Sequence, residues 1–270
     1  FTGDTTMTPY ISDVQWAEYK VQGYLRLEHV MDEGELEGLQ QRIDEIMMGT
    51  APTDYDRIMM QLDRDPAVGG DRPGPQSRGH KAATLCYRKI QGLEFDPLFL
   101  SFMQKPIFRE ICKRVYGAGT PVSCFRAMFM NKPVREGTPL IWHQDRWTAL
   151  DIDPLITIWT ALDPATPANG CVKIMPGSHD RLINPGHGSG FLTQEQAETV
   201  VAENEIMDLE VALGESVLLH NHMLHSSGTN NTDIARRAFS ACYMNAATRS
   251  RNGDAFPILF GEGALQPELV

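Results

Sequence analysis

From Pro121 onward the chain is a succession of short apolar or alternating runs, at 122–130, 139–145, 155–162, 171–175, 207–211, 216–219, 223–226 and 236–244, several of them divided by Gly and Pro turns. Many short strands with turn signals between them point to an antiparallel barrel or a double-sheet jelly roll. The part before Pro121 reads differently. Ser12 to Gln22 is predicted to be a helix, with Ser12 as its cap, Gln15 completing a capping box and Gly23 as its stop. Tyr24–Leu27 reads as a strand. Asp32 caps a second helix, whose apolar Leu36, Leu39, Ile43, Ile46 and Met47 fall on one face. A strand is expected over 84–91, and Pro106 opens a helix through Val115. The expected fold is mainly β with flanking helices. It forms a single domain over 1–270, with a helical part at about 12–116 and a β-core at about 84–91 and 121–245.

Two segments break the periodicity. Residues 50–82 carry Pro52, Pro66, Gly69, Gly70, Pro73, Gly74, Pro75 and Gly79. Residues 176–205 carry Pro176, Gly177, Gly186, Gly188 and Gly190 before a short helix. Loops this long in a compact domain are commonly lids or binding loops, and both are expected to serve as lids.

The charge balance narrows the partners. There are 24 Lys plus Arg against 35 Asp plus Glu, a formal net charge of −11. Such a chain is poorly suited to gripping phosphate backbones or anionic membranes, so no nucleic acid and no membrane is expected. A small molecule is the expected partner. Hydrophobic residues make up 42%, enough for a sizeable core. The five cysteines are odd in number and form no Cys-x-x-Cys pair, so they read as buried reduced thiols. Phe1–Tyr10 lacks a charged-then-apolar secretory pattern, and no apolar run approaches the ~18 residues of a membrane span. The expected location is cytoplasmic.

The chemistry starts at Trp142-His143-Gln144-Asp145. On a strand, residues i and i+2 face the same side, so His143 and Asp145 can present an imidazole and a carboxylate to one point. Two histidines and one carboxylate on one face of an octahedron form the facial triad of iron(II) oxygenases. Alone, the triplet is a weak signal that arises by chance, and a surface or core histidine is the plainer reading. A later His-rich segment adds weight: Leu218-Leu-His220-Asn-His222-Met-Leu-His225-Ser-Ser-Gly228. Arg236 lies eleven residues beyond His225 on the next predicted strand, where it can pair bidentately with a carboxylate beside a metal.

Several spaced segments then make a resemblance. Trp142-His-Gln-Asp145, Trp159-Thr-Ala161, Asn169-Gly-Cys171 and Met175-Pro-Gly-Ser-His179 run in order. The block from His225 through Gly228, Asn230, Thr232 and Arg236 to Ala238 follows, with Lys89-Ile-Gln91 and Met128–Pro133 upstream. Together they resemble the phytanoyl-CoA dioxygenase (PhyH) family of iron(II), 2-oxoglutarate-dependent oxygenases, over roughly residues 84–245. The resemblance implies a double-stranded β-helix, a cupin-like jelly-roll barrel. It implies that His143, Asp145 and His225 hold Fe(2+) and that Arg236 binds the distal carboxylate of 2-oxoglutarate. Ser227 would hydrogen-bond near it, and Lys89, Met128 and Trp159 would line that pocket. The implied reaction uses dioxygen, hydroxylates a substrate and releases succinate and CO2. The presence of Asp145 argues for hydroxylation rather than the halogenation seen where that carboxylate is missing.

Around this core, strand alternation gives further expectations. Arg126 shares a face with Met128 and reads either as a structural ion pair or as the anchor of an anionic substrate. Tyr87, by sharing a face with Lys89, is a candidate substrate contact, and Arg146 and Trp147 are candidates for the rim. Arg237 is expected to be a solvated charge. His220 and His222 are expected to face away from His225 in packing or surface roles, and His179 to be structural. The expected substrate is a small carboxylate, phosphonate or amino-acid-like molecule. The alternatives are an acyl-CoA 2-hydroxylase of the phytanoyl-CoA type, a non-catalytic metal- or ligand-binding protein on the same scaffold, or a triad loaded with zinc or nickel. No peroxisomal tripeptide is read in Pro267–Val270.

Overall fold

A computed structural model describes residues 10–70 and 72–269. The start of the expected domain, 1–9, and residues 71 and 270 lie outside the described residues. Helix α1 (Asp13–Gln22) begins where Ser12 accepts a hydrogen bond from the Gln15 amide and Gln15 accepts one from the Ser12 amide. It ends at Gly23, whose φ of 77° and close packing under His179 leave no room for a Cβ. Strand β1 (Tyr24–His29) leads to α2 (Glu33–Met48), whose buried stripe is Leu36, Leu39, Ile43, Ile46 and Met47, as the 3.6-residue period requires. Then come β2 (Met59–Leu62), β3 (Ser77–Arg78) and β4 (Tyr87–Gln91). Helices α3 (Pro97–Met103) and α4 (Pro106–Tyr116) close the first half, each opened by a proline in its first turn.

The second half is β5 (Val122–Lys132), β6 (Leu140–His143), β7 (Ile156–Ala161), β8 (Val172–Ile174), α5 (Gln194–Glu203), β9 (Met207–Leu209), β10 (Glu215–His220), β11 (His225–Ser227), β12 (Arg236–Asn245) and β13 (Ile258–Phe260). Nine strands make the major sheet in the order β1-β10-β7-β12-β5-β4-β2-β3, with β13 also on β5. Four make the minor sheet, β6-β11-β8-β9. Among the described residues no strand belongs to both sheets, so the jelly roll is two sheets rather than one closed barrel.

Strand β12 shows what the alternation achieves. Phe239, Ala241 and Tyr243 enter the core shared with the helices, while Ala238 packs in the smaller core between the sheets and Arg236 and Ser240 line a cavity there. The helices thus cover one face of the major sheet, and the other face is left for a site.

Several expectations are corrected. Residues 50–82 are not a structureless lid. The run Ile58-Met-Met-Gln-Leu62 within them supplies β2, with Ile58 and Met60 fully buried, and extends the sheet past β4. Helix α3 was missed because it is short and apolar nearly all round. Residues 221–223 form a turn, so β11 begins only at His225. Of the five cysteines, Cys86 is exposed and the other four are buried and free. Arg237 is not a solvated charge: its guanidinium bonds both oxygens of Asp163, at 2.8 and 2.9 Å, and Asp44 at 2.7 Å. That clamp ties β12 to α2 and to the end of β7. Arg237→Ala is expected to cost about 2–3 kcal/mol in urea denaturation, less than a fully buried pair because the partners keep some solvent. A loss under about 0.5 kcal/mol would mean the clamp is a surface pair.

Candidate active site

His143 is the last residue of β6 and His225 the first of β11, and the two are direct partners in the antiparallel pairing. Their ring centroids lie 4.0 Å apart. Asp145 follows two residues after His143. Its Oδ1 is 3.8 Å from Nε2 of His143 and its Oδ2 is 3.8 Å from Nε2 of His225. One potential ligand atom from each residue falls within 4.8 Å of the others. The tautomers are set by the backbone. Nδ1 of His143 lies 2.8 Å from the carbonyl of Ile141, and Nδ1 of His225 lies 2.9 Å from that of Met223. A carbonyl only accepts, so each Nδ1 carries the hydrogen and each Nε2 turns a lone pair toward Asp145. Burial, and then the neighbouring His225, push the pKa of His143 down to about 3, so it is neutral and ready to ligate at ordinary pH. Phe191 stacks on His143 at 4.6 Å and 18° and shields it.

The residue between the two proximal ligands points away from the site and holds it together. Gln144 donates to the carbonyls of Arg181 and His222, at 2.8 and 2.6 Å, and accepts from the Ile183 amide at 2.8 Å. Its own amide donates to Gly190, where a Cβ would meet the Gln144 carbonyl oxygen at 1.8 Å. One side chain thus fixes the proximal strand, the 181–191 loop and the turn before His225. Sequence reasoning passed over Gln144, because nothing in the alternation marks which outward residue is a staple.

Beside the triad lies a cavity of about 300 Å³. Arg126, Met128, Met130 and Lys132 line it from alternate positions of β5. All five positions expected at the co-substrate line this one cavity: Lys89, Met128, Trp159, Ser227 and Arg236. Arg236 is 3% exposed, and among the described residues its Nε and Nη1 have no hydrogen-bond partner. Nε1 of Trp159, whose ring centre is 5.8 Å from the guanidinium, is likewise buried and unpartnered. Burial pushes the pKa of Arg236 down to about 10, which leaves it charged. Orphaned buried donors cost free energy unless something accepts from them. A carboxylate entering the cavity would do so. The donor set of two imidazoles and one carboxylate suits a divalent iron. The residues present therefore fit both groups.

Arg126 and Trp147 also line the cavity, as does His220, which was expected to face elsewhere. Tyr87 does not. It is fully buried in the helix-side core, where its hydroxyl donates to the Ala82 carbonyl and accepts from the Lys81 and Ala82 amides, each at 2.9 Å. A bulge explains the error: Gln61 pairs with Lys89 and Leu62 with Tyr87, so Arg88 is an extra residue and Tyr87 and Lys89 face opposite sides. Arg146 does not line the cavity either. It donates to the Pro185 carbonyl at 2.6 Å and pairs with Asp153 at 3.4 Å, tethering the 181–191 loop; His222 lies 3.6 Å from the same Asp153. His179 packs on His220 and reaches the Lys20 carbonyl, a structural place. Among the described residues none of 50–82 lines the cavity, whereas Ser189 and Phe191 of the second loop do.

The sequence profile of the phytanoyl-CoA dioxygenase family (PhyH) matches residues 19–238. The chain belongs to that family. Members of the phytanoyl-CoA dioxygenase family are 2-oxoglutarate-dependent oxygenases, and the chain is an oxygenase on that ground. It is similar to a probable phytanoyl-CoA dioxygenase of Caenorhabditis elegans, at 25% identity over 84% of this chain and 73% of that one. It is 31% identical to the phytanoyl-CoA dioxygenase domain-containing protein 1 of Mus musculus, over 56% of this chain and about half, 54%, of that relative. Among solved structures, EctD from S. alaskensis, crystallised with 2-oxoglutarate and 5-hydroxyectoine, has a TM-score of 0.70 at 18% identity, covering 93% of this chain and 80% of that one. The carbocyclase SnoK from nogalamycin biosynthesis has a TM-score of 0.68 at 19% identity, covering 94% and 96%. These likenesses show the shared fold. Among the described residues no helix is long and apolar enough to cross a membrane.

Gln144→Leu keeps the volume but strips three hydrogen bonds behind the ligands. It is expected to weaken iron(II) binding about 10- to 100-fold in an anaerobic titration, the usual range for a group supporting metal ligands. Unchanged affinity would show that the strand pairing alone aligns the triad.

Proposed function

We propose that the chain is an iron(II)- and 2-oxoglutarate-dependent hydroxylase of a small anionic metabolite. One observation carries this reading: a triad with both Nε2 lone pairs turned inward shares a cavity with a buried guanidinium whose Nε and Nη1 have no partner among the described residues. In this reading His143, Asp145 and His225 hold the iron, and Arg236 binds the distal carboxylate of 2-oxoglutarate. Ser227, Trp159, Met128 and Lys89 complete its pocket. The bound pair, when present, supplies an oxidant from dioxygen and releases succinate and CO2. The protein's residues position the substrate, and Phe191 and Trp147 keep water from the reacting centre.

Arg126 supports the anionic substrate. Its guanidinium lies 4.6 Å from the ring centre of Trp147 and 4.8 Å from that of Phe125. Phe125 is the extra residue of a second bulge, where β12 pairs Cys242 with Arg126 and Tyr243 with Cys124. Among the described residues no carboxylate forms an ion pair with Arg126, so the structural ion pair weighed from the sequence has no partner. Held between the two rings and free of an ion pair, it is suited to bidentate contact with an anion. The cavity wall holds Arg88, Lys89, Arg126, Lys132 and Arg236 against Asp145 as its one carboxylate. A volume of about 300 Å³ sits at the lower end of the range for ligand pockets, and 2-oxoglutarate must share it. That favours a small carboxylate, phosphonate or amino-acid-like molecule over an acyl-CoA, which stands second.

Succinate release, screened over small carboxylates, phosphonates and amino acids, tests this directly. With the substrate so found, Arg126→Ala is expected to raise its KM by about 10-fold or more and leave the 2-oxoglutarate KM unchanged. Turnover of acyl-CoA alone, insensitive to Arg126, would overturn the small-anion reading. Absence of any succinate release would favour the binding-protein alternative.

A further inference from the structure

Lys132 stands directly opposite Arg236 in the pairing of β5 with β12. Both are buried, at 5% and 3% exposure, and both line the cavity. Like charges directly opposite on neighbouring strands destabilise the pair, and burial removes the water that would screen them. Of the charged groups facing Lys132, Arg236 on β12 and Arg88 on β4 repel it, and Asp63 after β2 attracts it. Asp63 is already engaged: its oxygens accept from the Gly137 and Thr138 amides and the Thr138 hydroxyl, each at 3.1 Å. The Lys132 ammonium itself donates to the Thr138 carbonyl and keeps two hydrogens to give.

Arg88 adds to the same wall. On a regular strand it would face away from Lys89, but it is the extra residue of the β4 bulge and lines the cavity as Lys89 does. Among the described residues its guanidinium makes no hydrogen bond and no ion pair. Three cations therefore face the cavity where the proposed function seats one end of 2-oxoglutarate, and among the described residues no carboxylate forms an ion pair with any of them.

We propose that Lys132 is a second co-substrate-binding cation, closing with Arg236 a two-sided clamp on the distal carboxylate of 2-oxoglutarate, with Arg88 reinforcing it. The inference rests on the reading of 2-oxoglutarate as co-substrate. Such a clamp rewards a keto acid with a second carboxylate and leaves two repelling cations facing each other when a monocarboxylate such as pyruvate binds. Burial, Arg236 and Arg88 push the pKa of Lys132 down to about 7. A bound carboxylate favours the ammonium form and raises that value again. Only the charged form grips, so affinity is greatest below pH 7, falls as pH rises through it, and above it binding takes up a proton.

The test is calorimetric titration of the iron(II)-loaded, oxygen-free protein with 2-oxoglutarate at pH 6 and pH 8.5, in buffers of different ionisation enthalpy. Wild type is expected to bind more weakly at the higher pH, with proton uptake. Lys132→Met is expected to raise Kd about 10- to 100-fold at pH 6, the loss for a charged hydrogen bond, and to abolish the proton uptake. Lys132→Arg is expected to retain tight binding with no pH dependence, an outcome that holding the Thr138 turn would not produce. Lys132→Met binding as wild type does, with the same proton uptake, overturns the clamp and leaves the co-substrate reading standing. Wild type that binds no 2-oxoglutarate overturns both.

Discussion

Arg236 carries a guanidinium into the interior and finds there, among the described residues, no carboxylate to bond. A buried, unpaired charge of this kind opposes folding, and the rest of the site can be read as what makes it tolerable. The major sheet holds β12 between β5 and β7, so the strand cannot turn Arg236 out of the cavity without turning Phe239 and Tyr243 out of the core. Trp159 and Lys132 on those flanking strands face the same cavity, and each brings a donor rather than an acceptor. The deficit is thus concentrated in one place, and its complement is an anion small enough to enter.

The metal side is set by a different constraint. His143 and His225 must meet in one register, on strands of four and three residues. Strands so short specify register weakly on their own. The supports come from outside the pairing: Gln144 joins three segments behind the ligands, and the Asn221 carbonyl accepts from the Asp145 amide at 2.7 Å. Asn221 is itself locked by the Thr157 hydroxyl and the Pro154 carbonyl. The chain therefore pins its ligands from the β7 strand and the 181–191 loop, and the minor sheet can stay small.

Much of this was legible in the sequence. The capping boxes at Ser12 and Asp32 and the stripe from Leu36 to Met47 are local signals, and they define α1 and α2 closely. Alternation on β12 puts Arg236 and Arg237 on opposite faces, and the choice of Arg236 as the inward one comes from the family resemblance. The profile of the PhyH family spans residues 19–238, a range that takes in the motifs from Lys89 to Ala238. What was not legible has physical causes. A bulge adds one residue without a sequence mark, so parity fails at Arg88 and puts Tyr87 on the wrong face. Arg237 found Asp44 and Asp163, which are 193 and 74 residues away in the chain. The strand within 50–82 was hidden by the prolines and glycines on either side of it. Gln144 stands in a motif of the resemblance, but its role was not legible, because its partners are backbone atoms of loops that only the fold brings near.

We infer that the cavity's buried cation is kept for a ligand and not for the fold. The direct measurement is the unfolding free energy of wild type and Arg236→Met, each with and without iron(II) plus 2-oxoglutarate under anaerobic conditions. The account predicts that Met stabilises the ligand-free protein by about 1–3 kcal/mol, because it removes an uncompensated buried charge. It also predicts that the stabilisation wild type gains from 2-oxoglutarate is lost in the variant. If Met instead destabilises the ligand-free protein while the gain from 2-oxoglutarate persists, Arg236 is a structural residue and the co-substrate is held elsewhere.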